Sequence, residues 1–137
     1  MLVMPFTPRG RENLVAYLAG SIDAKGRPRL SLLSLPRDRL TLGPSQVTRR
    51  ILASHGVSRR LELSNREARD LGKTSVDRTI VGAPRLLPIG GALVQVQPIY
   101  LVAGGSGVPR LQLVAAVAND RVGYGPDADT ALRRTLR

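Results

Sequence analysis

Cysteine and tryptophan are absent from this 137-residue chain, and its only aromatic residues are one phenylalanine and three tyrosines. The lack of cysteine excludes disulfides, thiolate catalysis and zinc sites with cysteine ligands, and it leaves the cellular compartment open. Because aromatic rings are scarce, the core must be built from Leu, Val, Ile and Ala. Few flat side chains remain on which bases or sugars could stack.

Lysine is almost absent as well, since Lys25 and Lys73 are the only two and arginine supplies the rest of the 21 basic residues. Against ten acidic residues, this gives a formal net charge of +11. Arginine forms bidentate contacts with phosphate, but a GC-rich genome also favours arginine codons. The arginines are scattered rather than grouped, which favours the compositional explanation.

No stretch of the sequence is typical of a signal peptide or a membrane-spanning helix. Met1 is followed neither by a basic start nor by a small-residue cleavage site. The uncharged stretch over residues 86–108 is long enough to span a bilayer, but it contains two prolines and five glycines and alternates like a strand. A spanning segment, if the protein has one, is expected elsewhere.

The periodicity predicts an α+β fold, mainly an antiparallel sheet with two or three short helices, in a single module over residues 1–137. Pro44 suits the first position of a helix, and His55 and Gly56 are predicted to end it. Asp127 or Asp129 is predicted to cap a final helix. The other predicted segments are an extended start over 1–8, a helix over 11–19, strands over 30–35, 79–81, 93–102 and 111–118, a turn at 119–120, a returning strand over 121–124, and a mobile loop over 64–78. Pro98 predicts an edge position or a bulge for the strand over 93–102.

Three groups of segments carry a family resemblance. They are residues 4–13 (MPFTPRGREN), 35–40 (LPRDRL) with 43–47 (GPSQV), and 86–89 (LLPI) with 97–101 (QPIYL). In this order and spacing, the chain resembles the large bacterial membrane proteins of uncharacterised protein family zero-one-eight-two (UPF0182). The resemblance extends from Met1 to about Leu132.

The resemblance implies a setting without an activity. It implies a cell-membrane protein with a large extracytoplasmic domain, of which this chain is a segment near the C-terminal end. The partners would be the remainder of that parent protein, and contact with the membrane would come through the parent chain only. No reaction, ligand, cofactor or catalytic residue comes with the family.

The candidate catalytic and metal-binding residues do not assemble into a known site. Residues 72–75 (GKTS) resemble the end of a phosphate-binding loop, but Glu67 stands where that loop needs its first glycine. His55 is the only histidine, and no nucleophile elbow accompanies it. Asp127 and Asp129 lack the rest of a calcium loop and suit helix capping better. We therefore expect no catalytic residue, no cofactor and no metal site.

Arg49, Arg50, Arg59 and Arg60 form the densest basic positions and are the candidate anion-contact patch. One interpretation is a surface that faces phosphates of lipid head groups or nucleic acid. The favoured interpretation is a solvated face that pairs with acidic surfaces of the parent protein.

These observations lead to one functional hypothesis and one alternative. The chain is predicted to be a structural or interaction module of a bacterial membrane protein, not an enzyme, and to self-associate when isolated because the strand over 93–102 is nearly free of charge. The alternative is a small basic nucleic-acid-binding protein. Arginines and aromatic residues do not interleave as nucleic-acid readers require, so that alternative is disfavoured.

Overall fold

The computed structural model describes residues 1–70, 76–103 and 107–137, and within them it confirms the predicted α+β fold. Two antiparallel sheets and three helices make up these described ranges. The sheets lie one after the other along the chain, separated by two of the helices. The third helix follows the second sheet.

The first sheet contains three strands in the order in which they occur along the chain. They are β1 (Leu2–Phe6), β2 (Ala16–Ile22) and β3 (Pro28–Ser34). The turn between β2 and β3 is closed by the carboxylate of Asp23, which accepts hydrogen bonds from the backbone N–H groups of Lys25 and Arg27, both at 2.9 Å. Gly26 adopts a φ of 76° there, a conformation that glycine tolerates best.

The second sheet contains five strands around a long central one. They are β4 (Val76–Val81), β5 (Arg85–Ile89), β6 (Ala92–Ala103), β7 (Pro109–Ala118) and β8 (Arg121–Gly125). β4 and β5 pair with successive parts of β6, and β7 pairs with β6 and with β8. The predicted strands over 93–102, 111–118 and 121–124 are thereby confirmed.

Helices cover both faces of the second sheet. They are α1 (Pro44–Ala53), α2 (His55–Asp70) and α3 (Ala128–Leu136). Pro44 is the first residue of α1, as predicted. Asp127 caps α3, since its carboxylate accepts the N–H of Thr130 at 2.7 Å.

The core has two layers because β7 is buried on both of its faces. Alternate side chains point to opposite sides of a strand. Leu113, Ala115 and Val117 pack against the buried side chains of α1 and α2, namely Val47, Ile51 and Val57. The other side chains of β7 join β6 and α3 in the second layer, with members Val94, Val96, Val114, Ala116, Ala118 and Ala131.

Buried amides tie three other segments to the central strand β6. The side chain of Gln95 donates to the carbonyl of Leu42 at 2.6 Å. The side chain of Gln97 donates to the carbonyl of Gly82 at 2.6 Å and to the hydroxyl of Thr48 on α1 at 2.9 Å. Both glutamines are buried in the layer that faces α1, so these bonds satisfy polar groups that would otherwise be costly to bury.

The predicted helix over 11–19 is wrong. Residues 16–19 belong to β2, which pairs with β1 on one side and with β3 on the other. Before the strand, Leu14 donates its N–H to the carbonyl of Thr41 at 2.9 Å. The spacing of Leu14, Val15 and Leu18 resembles a helix face, but pairing on both sides of β2 satisfies the backbone and overrides that local preference.

The predicted loop over 64–78 is also wrong in the described residues. α2 continues to Asp70, and residues 76–78 begin β4; residues 71–75 lie outside the described part of the chain. Ser64 is buried in α2 and accepts a hydrogen bond from the side chain of Gln112. Few apolar residues mark this part of α2 because only a narrow stripe of it faces the sheet.

The sequence predicted that Gly56 ends a helix, and this is wrong. Gly56 lies inside the first turn of α2. Ser54 separates the two helices instead, with an extended backbone at its φ of −69° and ψ of 122°. A Cβ on Gly56 would lie 2.6 Å from Cε1 of Tyr124. The glycine therefore serves close packing of α2 against β8.

Of the two alternatives predicted for Pro98, the edge position is wrong because β6 is paired on both sides, whereas the bulge agrees with a register shift between Ile99 and Tyr100. The carbonyl of Pro98 accepts the N–H of Gly82 at 2.9 Å. In an antiparallel strand the N–H and C=O of one residue point to the same neighbour, so the N–H that proline lacks would also point toward Gly82. On that side β4 has ended at Val81 and β5 begins only at Arg85. The proline is tolerated in a central strand because the neighbouring strand is interrupted there, and the register with β7 also shifts beside it.

We predict that Gly123→Ala destabilises the fold by about 2–4 kcal/mol because a side chain there overpacks the β8–α3 interface. A Cβ on Gly123 would lie 2.6 Å from the carbonyl oxygen of Ala131 and from the backbone nitrogen of Thr135. Gly20→Ala is the matched control, because the nearest atoms to its Cβ would be 3.9 Å away. Chemical denaturation measures both changes, and equal midpoints for the two variants would contradict this packing argument.

Candidate interaction surfaces

The predicted arginine patch is divided between two helices. Arg49 and Arg50 lie on α1, whereas Arg59 and Arg60 lie on α2, and all four side chains belong to exposed residues. The two pairs are adjacent in sequence, so neighbouring members point in different directions around a helix. The four guanidinium groups therefore do not lie together on one helix face, as a single anion-contact patch on a helix would require.

Three of the four arginines form ion pairs within the module. Arg49 forms a bidentate contact with the carboxylate of Glu12, in which the distance from Nη1 to Oε1 is 2.9 Å. Arg50 donates to the carbonyl of Asp120 at 2.9 Å and lies 3.6 Å from its carboxylate. Arg60 lies 3.9 Å from the carboxylate of Glu67. These contacts pair the arginines with acidic residues of the module itself, whereas the sequence interpretation had assigned that pairing to acidic surfaces of a parent protein.

The contact between Arg49 and Glu12 joins α1 to the segment that precedes β2. The hydrogen bond from Arg49 lowers the pKa of the Glu12 carboxyl, and its charge lowers that pKa further against the opposing effect of burial. The same hydrogen bond raises the pKa of Arg49. Both groups are exposed, so we treat the pair as a guide to orientation rather than as a major source of stability.

The other residues singled out in the sequence have structural roles or lie outside the described residues. His55 begins α2 and lines a shallow, open pocket with Arg59, and the nearby hydroxyl of Ser58 donates to the carbonyl of Ser54 at 3.1 Å. The hydrogen bond from Thr130 that makes Asp127 a helix cap also lowers the pKa of its carboxyl. Residues 72–75 fall in the undescribed segment. Within the described ranges, no three His, Asp or Glu side chains are grouped as a metal site requires.

The largest unexpected feature is an apolar face on the first sheet. Directly paired residues of an antiparallel sheet point to the same side, so the register defines the members of this face. We call it the apolar face, and its members are Leu2, Met4, Phe6, Ala16, Leu18, Gly20, Ile22, Pro28, Leu30, Leu32 and Ser34. None of them carries a charge.

Large side chains of the apolar face are open to solvent. The exposed fraction is 69% for Leu2, 75% for Ile22, 72% for Leu30 and 66% for Leu32. The opposite side of the sheet is the one that contributes to the core, where Tyr17 packs with Leu14 and Leu86. The other side of the first sheet therefore reaches the core through β2, whereas all of β3 is exposed and the large side chains of the apolar face have no cover among the described residues.

A cleft adjoins one end of the apolar face. Its volume is about 600 Å³, and Ala16 and Ser34 belong both to the cleft lining and to the apolar face. Arg11, Arg37 and Arg39 also line it, and we call it the arginine cleft. Its remaining lining is mainly apolar or uncharged: Pro8, Asn13, Leu14, Val15, Leu35, Pro36, Leu40 and Thr41.

Sequence reasoning missed both features because it looked for uncovered surface in the wrong strand. The strand over 93–102 was expected to need a cover, but β4, β5 and β7 flank it and the helices pack on its sheet. The alternating apolar residues at 2, 4 and 6 and at 30 and 32 were the available signal. Alternation reveals two faces of a strand without showing which face meets the core.

The sequence comparisons agree with the resemblance seen in the motifs. The model of the uncharacterised protein family UPF0182 matches residues 1–64. A UPF0182 protein of Synechococcus elongatus is 36% identical over 134 residues, which is 98% of this chain and 13% of the relative. A UPF0182 protein of Trichlorobacter lovleyi is 33% identical over 98% of the chain and 14% of the relative. No solved structure matches the chain.

The molecule is thus an α+β module, and 98% of its sequence is similar to a segment of much longer bacterial proteins of the uncharacterised protein family UPF0182. It spans about one eighth of the length of the relatives that it matches. Among the described residues, no helix combines the length and the hydropathy that crossing a bilayer requires.

We predict that Arg49→Gln raises the pKa of Glu12 toward its ordinary value, because the substitution removes the hydrogen bond and the charge that lower it. A folded-state pKa below the unfolded one stabilises the fold above the unfolded pKa, and this contribution is lost as the pH falls through the folded pKa. Carboxyl chemical shifts followed by NMR during a pH titration measure the change. Arg133→Gln is the control, since Arg133 pairs with Asp129 and should leave Glu12 unchanged.

Proposed function

We propose that this chain is a structural and interaction module of a longer bacterial membrane protein, located on the extracytoplasmic side, and that it is not itself an enzyme. The exposed apolar face of the first sheet carries this proposal. The relatives support this proposal. Each carries a similar segment within a polypeptide about seven times longer, and the additional residues could cover the apolar face. The membrane setting rests on the resemblance described above.

The energetics favour a covered state of the apolar face. Complete burial of one Leu or Ile side chain contributes about 1.5–3 kcal/mol relative to exposure. Several such side chains lie together on three adjacent strands, so a partner of matching shape would gain a substantial free energy. Contiguous apolar patches of this kind are typical of interaction surfaces on soluble domains.

The alternative, a nucleic-acid-binding protein, has less support. Arg49, Arg50 and Arg60 are already paired with carboxylates or carbonyl groups of the module. Phe6 is the aromatic residue of the apolar face, and no basic residue shares that face with it. Stacking platforms that bind single strands combine aromatic and basic side chains on one surface.

We predict that DNA and RNA of mixed sequence bind the chain weakly and without selectivity at physiological salt. The excess of positive charge permits contacts with phosphates, and such contacts weaken steeply as salt is added. A fluorescence titration measures the affinity and its salt dependence. Selective binding below micromolar concentration would favour the alternative.

We also predict that the isolated chain self-associates through the apolar face. Leu32→Glu should shift the chain toward monomer, because two copies cannot bury the new carboxylate without a large desolvation cost. Ser31→Glu is the matched control: it adds the same charge to the neighbouring position of β3, which is exposed but points to the other side of the sheet. Sedimentation over a range of concentrations measures both variants.

Two results would count against the proposal. If the isolated chain without substitutions stays monomeric at high micromolar concentration, the module is self-sufficient and does not need a cover on the apolar face. Equal association of the Leu32→Glu and Ser31→Glu variants would show that the apolar face is not the surface involved.

A further inference from the structure

We infer that the arginine cleft binds a carboxylate of the polypeptide segment that covers the apolar face. This inference rests on the proposed function, because it assumes that another part of the longer protein lies on the first sheet. It adds the chemical identity of the contact: an acidic side chain set beside an apolar surface.

The arginine cleft is continuous with the apolar face. Ala16 and Ser34 pair with each other across β2 and β3, belong to the apolar face and also line the cleft. A segment that lies on the face can therefore reach the cleft without leaving the surface. The cleft volume of about 600 Å³ is large enough for several side chains.

The lining of the arginine cleft is positively charged. Arg11, Arg37 and Arg39 line it, and no carboxylate is among its described lining residues. Within the described part of the chain, none of these three arginines forms an ion pair. Guanidinium groups match carboxylates through paired, parallel hydrogen bonds, which makes a carboxylate a suitable ligand.

Basic residues also outnumber acidic ones around the first sheet. Residues 1–43 contain seven basic residues and three acidic ones. Two of the acidic residues already have partners, since Glu12 contacts Arg49 and Asp23 contacts Arg27 at 3.0 Å. A partner that brings carboxylates to this end of the module would relieve the repulsion among the remaining cations.

A segment of the same polypeptide is the occupant that these features favour. The relatives carry most of their length outside the region that this chain matches. A tethered segment acts at a high effective concentration, so a modest interface suffices to hold it in place. It can also supply apolar and acidic side chains together, which the combination of apolar face and arginine cleft requires.

The test uses the full-length protein to which the module belongs, with Arg39→Lys as the probe. The substitution keeps the positive charge and provides a primary amine, which a carbodiimide joins to a carboxylate in direct contact with it. The module itself contains only Lys25 and Lys73, so the background is low. We expect mass spectrometry to find a cross-link from position 39 to an Asp or Glu outside the module.

Arg133→Lys is the matched control for this chemistry. Its partner Asp129 lies within the module, at 3.0 Å from the arginine, so the control should yield an internal cross-link. A control that reacts while position 39 remains unlinked would overturn the inference. A cross-link from position 39 to a carboxylate inside the module would overturn it as well.

A second measurement separates this inference from the proposed function. The chain has no cysteine, so Leu32→Cys reports on the apolar face and Ser31→Cys on the opposite side of β3. We expect alkylation of Leu32→Cys to be roughly tenfold slower in the full-length protein than in the isolated chain, diluted to a concentration at which sedimentation shows that chain to be monomeric, because covered sites react through transient opening. We expect the rate for Ser31→Cys to change much less.

The two measurements together distinguish the outcomes. If Leu32→Cys reacts equally fast in both proteins, the proposed function fails, and with it the inference. If Leu32→Cys is protected but position 39 gives no cross-link, only the carboxylate site fails. Protection that appears only after addition of phosphatidylglycerol vesicles would identify a lipid surface as the occupant and would overturn the inference.

Discussion

The buried amides of Gln95 and Gln97 are the contacts on which the arrangement of the molecule depends. They attach Leu42, Thr48 and Gly82 to the central strand β6; Leu42 and Thr48 lie outside the strands that pair with β6, and Gly82 lies between β4 and β5. Leu42 precedes α1, so its position directs the chain from the first sheet to the helical layer. Gly82 lies where β4 gives way to β5, which is also where β6 accommodates Pro98. A buried carbonyl without a partner costs about 1–3 kcal/mol, so each amide fixes its segment firmly.

Much of the second sheet could be predicted from the sequence because its signals are local. Asn119 takes a φ of 53° in the turn between β7 and β8, and Asp127 caps α3 with its own side chain. Residues 16–19 could not be assigned correctly, because their strand conformation depends on β1 and β3 rather than on their own spacing. Gly56 was misread for a related reason: its role comes from Tyr124, which is far away in sequence.

The arginines show the same limit for the candidate site. Arg49 and Arg50 attracted attention as neighbours in sequence, but Glu12 and Asp120 partner them from distant parts of the chain. Arg11 is separated from Arg37 and Arg39 by the whole β2–β3 hairpin, and only the fold brings them to one cleft. Charge density along a sequence therefore says little about charge density on a surface.

The backbone bridge between Leu14 and Thr41 has an evolutionary consequence. The bridge joins the two ends of the segment that carries the β2–β3 hairpin, and the rest of the molecule contacts that hairpin through β1 and through Tyr17 of β2, which packs against Leu86. Residues could be inserted or deleted at its tip, near Lys25, without changing the path of any element of the second sheet. Among related proteins, the outline of the apolar face can thus diverge by changes in hairpin length, while the helical layer and the five-stranded sheet keep their dimensions.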